Sequence, residues 1–264
     1  MSRFTQVPDI GKIFNHCIRK GTYPKSLKCA QVVPIHKGGQ KDLCNNYRPI
    51  SLLSPIKKIF EKLLHSRLYS FIEQHNMLST NQSGFRSGLS TSLPVYDIHE
   101  NFLQNKEKGL TAWSVFCDLS KAFDTLDHEI LLWKLEHFYG IRGFPHKLLT
   151  SYLQDRQQYT VVGGYRSTTR GVTLGVPQGS SLRPLLFALY VNDLLQESNL
   201  TPTLFVDDTL LTISCANSVN LQYGVNSELQ KVDEWMRCNK LSINYSKPHI
   251  CLSIATQINL VILK

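Results

Sequence analysis

What this 264-residue chain has little of narrows it first. No apolar stretch approaches the roughly 18 residues needed to cross a bilayer, so no membrane partner is expected. No apolar segment of signal-peptide type follows the opening Met1-Ser2-Arg3-Phe4. The seven cysteines (Cys17, Cys29, Cys44, Cys117, Cys215, Cys238, Cys251) are odd in number, and no two are spaced Cys-x-x-Cys. That excludes a disulfide framework and a zinc knuckle. Buried, reduced thiols in an intracellular protein, nuclear or cytoplasmic and not secreted, are the expectation. There is no internal repeat and no low-complexity segment. Acid is also scarce: 20 Asp and Glu against 29 Lys and Arg give a net charge of +9. Such an excess favours a polyanionic partner, nucleic acid ahead of a membrane surface. The basic residues are spread along the chain, as on a folded surface rather than a disordered arm. At 42% hydrophobic and 19% charged, the chain can bury a core in one large domain or two small ones.

Among the few acids, two are adjacent. Asp207-Asp208 sits between Thr203-Leu204-Phe205-Val206 and Thr209-Leu210-Leu211-Thr212-Ile213. Both flanks are β-branched and apolar, which predicts a hairpin with the acids at its tip. Like charges ~4 Å apart repel by about 4 kcal/mol at an effective dielectric of ~20. A solvated turn relieves most of this, and a divalent metal relieves more. A third acid, Asp118, ends the apolar run Trp113-Ser-Val-Phe-Cys, where a carboxylate is costly without a partner. Asp124 and Asp127 have ordinary surface or capping readings. Carboxylates converging from separate strands can hold two divalent cations, and hard oxygen ligands with substrate phosphates select Mg²⁺ over zinc.

The rest of the chain reads as mixed helix and strand. Helices are predicted over ~9–20, closed by Gly21; from Pro55, capped by Ser54, with an apolar stripe from Ile56 to Ile72; over ~91–105; after Asp127 to Gly140; from Pro145 to about Asp155; over Leu182–Leu195; and over ~221–236. The second of these is expected to carry Lys57, Lys58, Lys62 and Arg67 off its stripe. Strands are predicted at 30–35, 46–53, 241–244 and 250–254, with a hairpin turning at Gly163-Gly164. The turn His36-Lys37-Gly38-Gly39-Gln40-Lys41 is either a phosphate contact or a solvated hairpin tip. Arg86, in a Gly-punctuated loop, either reaches a backbone phosphate or is a solvated charge. Gly171–Gly179 is glycine-rich and feeds a helix N-terminus capped by Ser180 or Ser181, an arrangement that offers N–H groups to an anion.

Six blocks, in order, resemble a known family. They are Ala30–Lys37 with Asn46-Tyr-Arg-Pro-Ile-Ser-Leu-Leu53; Gln82-Ser-Gly-Phe-Arg86; Asp118-Leu-Ser-Lys-Ala-Phe-Asp-Thr-Leu-Asp-His128; Gly175-Val-Pro-Gln-Gly-Ser180 with Pro184–Phe187 and Asn192-Asp-Leu194; Phe205-Val-Asp-Asp-Thr209; and Trp235 with Asn239–Asn244 and Lys247. The pattern resembles the reverse transcriptase domain of jockey-like non-LTR retrotransposons, over about Gly21 to Ser253. The resemblance implies an α+β, right-hand polymerase fold of fingers and palm, with a mainly antiparallel palm sheet packed on helices. Fingers are expected at approximately 1–108 and 129–180, palm at 109–128 and 181–255, and a tail at 256–264. It implies RNA-templated DNA synthesis, with an RNA template, a DNA primer or target DNA, deoxynucleoside triphosphates, and Mg²⁺ or alternatively Mn²⁺. Asp118, Asp207 and Asp208 match the catalytic metal ligands, and the Leu119 carbonyl would complete one shell. Phe123 matches the aromatic that blocks a ribose 2′-hydroxyl. Lys37 and Arg48 match triphosphate-holding residues, and Gln178 the residue beneath the incoming sugar and base. Lys247 matches a candidate general acid for pyrophosphate. Oligomeric state, template and insertion site are not read from the sequence.

The chain departs from the family pattern at Arg183, where a glycine is usual, at Val206 for alanine, and at Pro248 for threonine. A large cation at 183 is expected either to overpack, at about 1–3 kcal/mol, or to turn outward towards phosphate. No thumb, endonuclease or cysteine–histidine knuckle is read in these residues. A rival expectation follows: a truncated, catalytically inactive relic that keeps only nucleic-acid binding.

Overall fold

The chain begins with α1 (Val7–Lys20), β1 (Cys29–His36), β2 (Tyr47–Leu52), α2 (Pro55–Gln74) and α3 (Ser92–Glu107). It continues through β3 (Thr111–Asp118), α4 (Ala122–Thr125), α5 (His128–His137) and α6 (Gly143–Leu153). Then come β4 (Arg156–Val162), β5 (Tyr165–Arg166), β6 (Arg170–Val172) and α7 (Arg183–Val191). The last elements are β7 (Thr201–Phe205), β8 (Asp208–Cys215), α8 (Ser218–Cys238), β9 (His249–Ile254) and β10 (Ile258–Leu263). This computed structural model describes residues 7–82, 84, 86, 92–119, 122–196, 201–205, 208–215, 218–243, 249–254 and 258–263. Two compact units divide the chain: Met1–His75 with Leu126–Leu186, and Asn76–Thr125 with Phe187–Lys264.

In the first unit the sheet order is β2-β1-β4-β5, with β6 also on β4. β1 runs antiparallel to β2 and parallel to β4. Val162 faces Tyr165, leaving Gly163-Gly164 as a two-residue turn with φ of +57° and +83°. Only a pair that tolerates positive φ makes this hairpin cheaply. Phe14 and Tyr23 both stack on Phe60, at 4.4 and 5.4 Å between ring centroids, and Tyr152 meets Tyr23 edge-on at 5.1 Å. Helix α1 stops at Gly21 as its pattern predicts: Thr22 N–H donates to Cys17 O at 3.0 Å and Gly21 N–H to Ile18 O at 3.2 Å.

Helix α2 departs from the predicted stripe. Phe60, Leu64 and Ile72 are buried, but so are Lys57 and Glu61, while Ile56 and Ile59 are 47% and 56% exposed. The apolar residues span too wide an arc to fix which edge faces inward. The helix is turned so that Lys57 and Glu61, one turn apart, enter the interior, where the Ser181 N–H meets the Glu61 carboxylate. Ser54 caps α2 as expected, accepting from Lys57 N–H at 3.3 Å.

In the second unit every strand pairing is antiparallel, in the order β10-β9-β3-β8-β7. Helix α8 lies against β8, and α3 against β3 and β7. Sheets and helices are thus segregated, the expected α+β class. Helix α7 is apolar on all sides, with Phe187, Leu189 and Tyr190 buried, and gives way to a tight turn over Asn192–Gln196 before the predicted end at Leu195. The Tyr190 hydroxyl donates to Asn239 O at 2.6 Å. The Asn192 amide accepts from Ser79 N–H and donates to Met77 O, at 2.9 and 3.0 Å. Of the strand predicted at 241–244, only a bridge from Ile243 to Leu119 is formed, and 244 lies outside the described residues. Ile258–Leu263, from the apolar tail, pairs with β9.

Cys17, Cys29, Cys44 and Cys238 are free thiols, as expected, but Cys29, Cys44 and Cys238 are exposed rather than buried. Among the described residues no helix is long and apolar enough to cross a membrane.

Candidate functional site

The acids are brought together by strand register. β3 and β8 pair along their whole length, and the last pair is Asp118 opposite Asp208. On the other side of β8, Phe205 faces Asp208, so Asp208 opens β8 as a paired strand residue rather than lying at the hairpin tip as predicted. Val206 and Asp207 themselves lie outside the described residues. Apolar pairing fixes this register: Val115 faces Leu211, and both, with Leu210, are buried. A slip by one position would turn each strand's apolar set to the other face. Like charges at directly opposed positions destabilise a sheet. A divalent cation reverses that sign, and carboxylate oxygens are the donors such a cation takes. The residues present therefore fit a divalent metal. Among the described residues no group of three or more His, Cys, Asp or Glu is gathered.

Leu119 follows directly, with its side chain buried. Phe123, on α4, is half-buried, and its ring lies 4.5 Å from that of the buried Phe187 at a 41° tilt. Asp127 has its predicted capping role, its Oδ1 accepting from Glu129 N–H at 2.9 Å and Ile130 N–H at 3.1 Å. Arg86 is half-buried and donates to Ser79 O at 3.1 Å. Lys247 lies outside the described residues.

Lys37, Arg48 and Gln178 belong to the first unit. Ile35 faces Arg48 across β1 and β2, and the ladder continues with Lys37 N–H donating to Asn46 O at 2.7 Å. Side chains two apart share a face, so Arg48 and Lys37 fall on one side of the ribbon. Both are exposed, and among the described residues neither has an acidic partner. The turn beside them is ordered by Asn46 Nδ2 donating to Gln40 O and Tyr47 OH to Lys41 O, both at 2.8 Å. Three residues beyond Arg48 on the same strand, Ser51 N–H donates to Gln178 O at 3.0 Å. Strand β2 thereby ties Arg48 to the loop that carries Gln178.

That loop is held from several sides. Gly175 N–H donates to Leu126 O at 2.7 Å, and Gly175 O bonds His128 Nε2, also at 2.7 Å. Burial holds the His128 imidazole below its ordinary pKa, partly offset by this carbonyl. Gly179 has φ +106°, and a Cβ there would stand 3.2 Å from Ser51 O. Ser180 Oγ accepts from Leu182 N–H at 3.1 Å and bonds Tyr152 OH at 2.8 Å. With α7 starting at Arg183 and Leu182 O accepting from Leu186 N–H at 2.9 Å, Leu182 rather than Ser180 or Ser181 takes the N-cap position, and Ser180 braces the turn before it. Arg183 neither clashes nor turns away: its Nη1 donates to Val176 O at 2.6 Å, pinning the same loop. The sequence reading missed Glu61, Tyr152 and His128. Their one signal, a polar residue within or beside an apolar stripe, is shared by many solvated positions.

The model of the family described as "Reverse transcriptase (RNA-dependent DNA polymerase)" matches residues 35–260. This chain belongs to that family, which works with divalent metal in general. A probable RNA-directed DNA polymerase from transposon BS of Drosophila melanogaster is 36% identical over 69% of this chain and 20% of its own length. The probable RNA-directed DNA polymerase from transposon X-element, also of Drosophila melanogaster, is 32% identical over 92% of this chain and 27% of its own. The RNA-directed DNA polymerase from mobile element jockey of the same species is 29% identical over 89% and 26%. The expected jockey-like, non-LTR kinship holds, and the chain spans about a quarter of these relatives' length. Among solved structures, apo telomerase from Candida tropicalis truncated from its C-terminal domain matches 96% of this chain and 57% of that one, with a TM-score of 0.60 at 14% identity. The fold is the right-hand polymerase fold expected.

Proposed function

We propose that this chain carries out RNA-directed DNA synthesis: it extends a DNA primer on an RNA template with deoxynucleoside triphosphates. The register that opposes Asp118 to Asp208 is the observation that carries this reading, because a polymerase of this family needs carboxylates gathered on two strands. Asp118, Asp208 and Asp207, with the Leu119 carbonyl, would hold Mg²⁺, or Mn²⁺ in its place. The metal supplies charge stabilisation at the reacting phosphate and a more acidic 3′-hydroxyl. The primer 3′-oxygen bonds the α-phosphorus, the bond to the leaving pyrophosphate breaks, the hydroxyl proton passes to solvent, and Lys247 donates a proton to pyrophosphate.

Arg48 and Lys37 take the triphosphate, a role supported by their shared, exposed and unpaired face. Gln178 lies under the incoming sugar and base. Phe123, braced by Phe187, excludes a 2′-hydroxyl, and Arg86 contacts the nucleic-acid backbone. We read approximately 1–108 and 129–180 as fingers and 109–128 and 181–255 as palm, in an element acting inside the cell. Extension of a DNA primer on an RNA template with Mg²⁺ tests the proposal. Deoxynucleotides are incorporated, ribonucleotides are not, and Phe123→Ala admits the latter. Failure of the chain to incorporate any nucleotide, or equal use of both sugars by the wild type, would overturn it.

A further inference from the structure

The glycine loop shows an asymmetry. Its backbone is anchored at Gly175, Val176, Gln178 and Ser181, and its Ser180 side chain is bonded at both ends. The Gln178 side-chain amide, by contrast, has no partner among the described residues, although the residue is half-buried. The anchor costliest to bury is Glu61. It is fully buried on α2, and its Oε2 accepts from Ser181 N–H at 3.1 Å, across 120 residues of sequence. A buried carboxylate is expensive compared with an apolar side chain of similar size. Helix and sheet need no such device here, because what Glu61 holds is neither: it is the peptide three residues past Gln178, just before α7 begins. Tyr152, fully buried on α6, acts on the adjoining residue through Ser180. Burial first, and then the Glu61 carboxylate, push its phenol above the ordinary value, so it stays a neutral hydrogen-bonding group at assay pH.

We propose that Glu61 is a positioning residue for nucleotide selection: it fixes the Ser181 peptide so that the free Gln178 amide is presented to the incoming deoxynucleotide. This rests on the reading of Gln178 as a nucleotide contact. Glu61 touches no substrate; with Tyr152 it sets how often the loop is in its binding geometry. A loop populated only part of the time in that geometry weakens apparent affinity by that fraction and leaves the chemical step alone. Glu61 therefore acts on KM for deoxynucleotide rather than on kcat.

Single-nucleotide incorporation and amide hydrogen exchange on the full chain decide it. Glu61→Met removes the acceptor at similar volume; Glu61→Gln keeps an oxygen acceptor for Ser181 N–H. For Glu61→Met we expect the deoxynucleotide KM to rise about tenfold with kcat within about threefold, and residues 175–182 to exchange faster while α2 and α6 stay protected. Glu61→Gln restores most of the KM. Tyr152→Phe, nearly isosteric, moves KM the same way by less, and serves if Glu61→Met does not fold. Unchanged KM and unchanged loop exchange in these variants, or loss of kcat with protection lost throughout the unit, would overturn the proposal. Gln178→Ala with an unchanged KM, while Glu61→Met still loosens the loop, would instead overturn the nucleotide role and leave the anchor standing.

Discussion

Asp118 and Asp208 meet because two strands pair, whereas Gln178 stands where it does because residues of β2, α2, α5 and α6 hold its loop. The acids are fixed by a ladder whose register is set by neighbours such as Val115 and Leu211. Nothing beyond the strands is needed to set these positions opposite each other, and like charges so placed repel unless a cation intervenes. The loop has no ladder of its own. Its geometry comes from buried polar side chains distant in sequence, each expensive to bury. One site is therefore robust in place and poor in stability; the other is stable only while its supports are intact. Substitutions at the two should separate function from folding in opposite ways.

The largest effect is expected at the acids. Asp208→Asn or Asp118→Asn lowers incorporation by about a thousandfold or more, yet leaves the unfolding temperature unchanged or higher, because a like-charged pair has lost one member. Parallel incorporation and thermal unfolding read both halves. A variant that lost stability with its activity would erase the contrast.

At the loop the balance reverses. Gly179→Ala forces a side chain to φ +106° against Ser51 O, at about 1–3 kcal/mol. Denaturant unfolding should show that loss, along with a higher deoxynucleotide KM. An alanine that left both unchanged would show the loop to be more yielding than its anchors imply.

A further expectation concerns Lys57, buried beside this support. Burial first, then Arg156, lower its pKa to about 8, against a partial opposite pull from Glu61. The unfolded lysine keeps its ordinary 10.5. The unfolded chain thus binds more protons between these values, so the penalty is full below about pH 8 and fades as pH rises towards 10.5. Lys57→Met should be more stable than wild type at pH 7 by roughly 1–2 kcal/mol, the full shift being reduced by local relaxation. The gap should narrow above pH 8; a gap constant from pH 7 to 10 would contradict the burial of a charged Lys57. The smallest effect is expected at Asp127→Ala. It removes the side-chain cap of α5 at about 1 kcal/mol, with little change in KM, because the contacts of this segment to the loop run through the Leu126 carbonyl and the His128 ring.

These contrasts explain what could be read in the sequence. The acidic hairpin was readable because its signal is local: apolar β-branched runs on either side of two charges dictate strand, turn and strand. Gly163-Gly164, the Gly21 stop, and the Ser54 and Asp127 caps were readable for the same reason. Which strand Asp208 would oppose was not local, and came only with the fold. Glu61 was out of reach because α2 offers a broad apolar arc, and nothing local marks Lys57 and Glu61 rather than Ile56 and Ile59 as buried; the partner of Glu61, Ser181, lies 120 residues away. Arg183 misled for a related reason: a bulky cation in a glycine position suggests a clash, but the Val176 carbonyl supplies it with a partner seven residues back.

Single-nucleotide incorporation on an RNA template, with kcat and deoxynucleotide KM measured for wild type, Asp208→Asn and Gln178→Ala, bears on the division of labour most directly. If the strands carry the chemistry and the loop carries the grip, Asp208→Asn fails at every nucleotide concentration, while Gln178→Ala approaches the wild-type rate once nucleotide is saturating. If Asp208→Asn extends at the wild-type rate, or both variants lose kcat with KM unchanged, the two regions do not divide the work this way and the account is wrong.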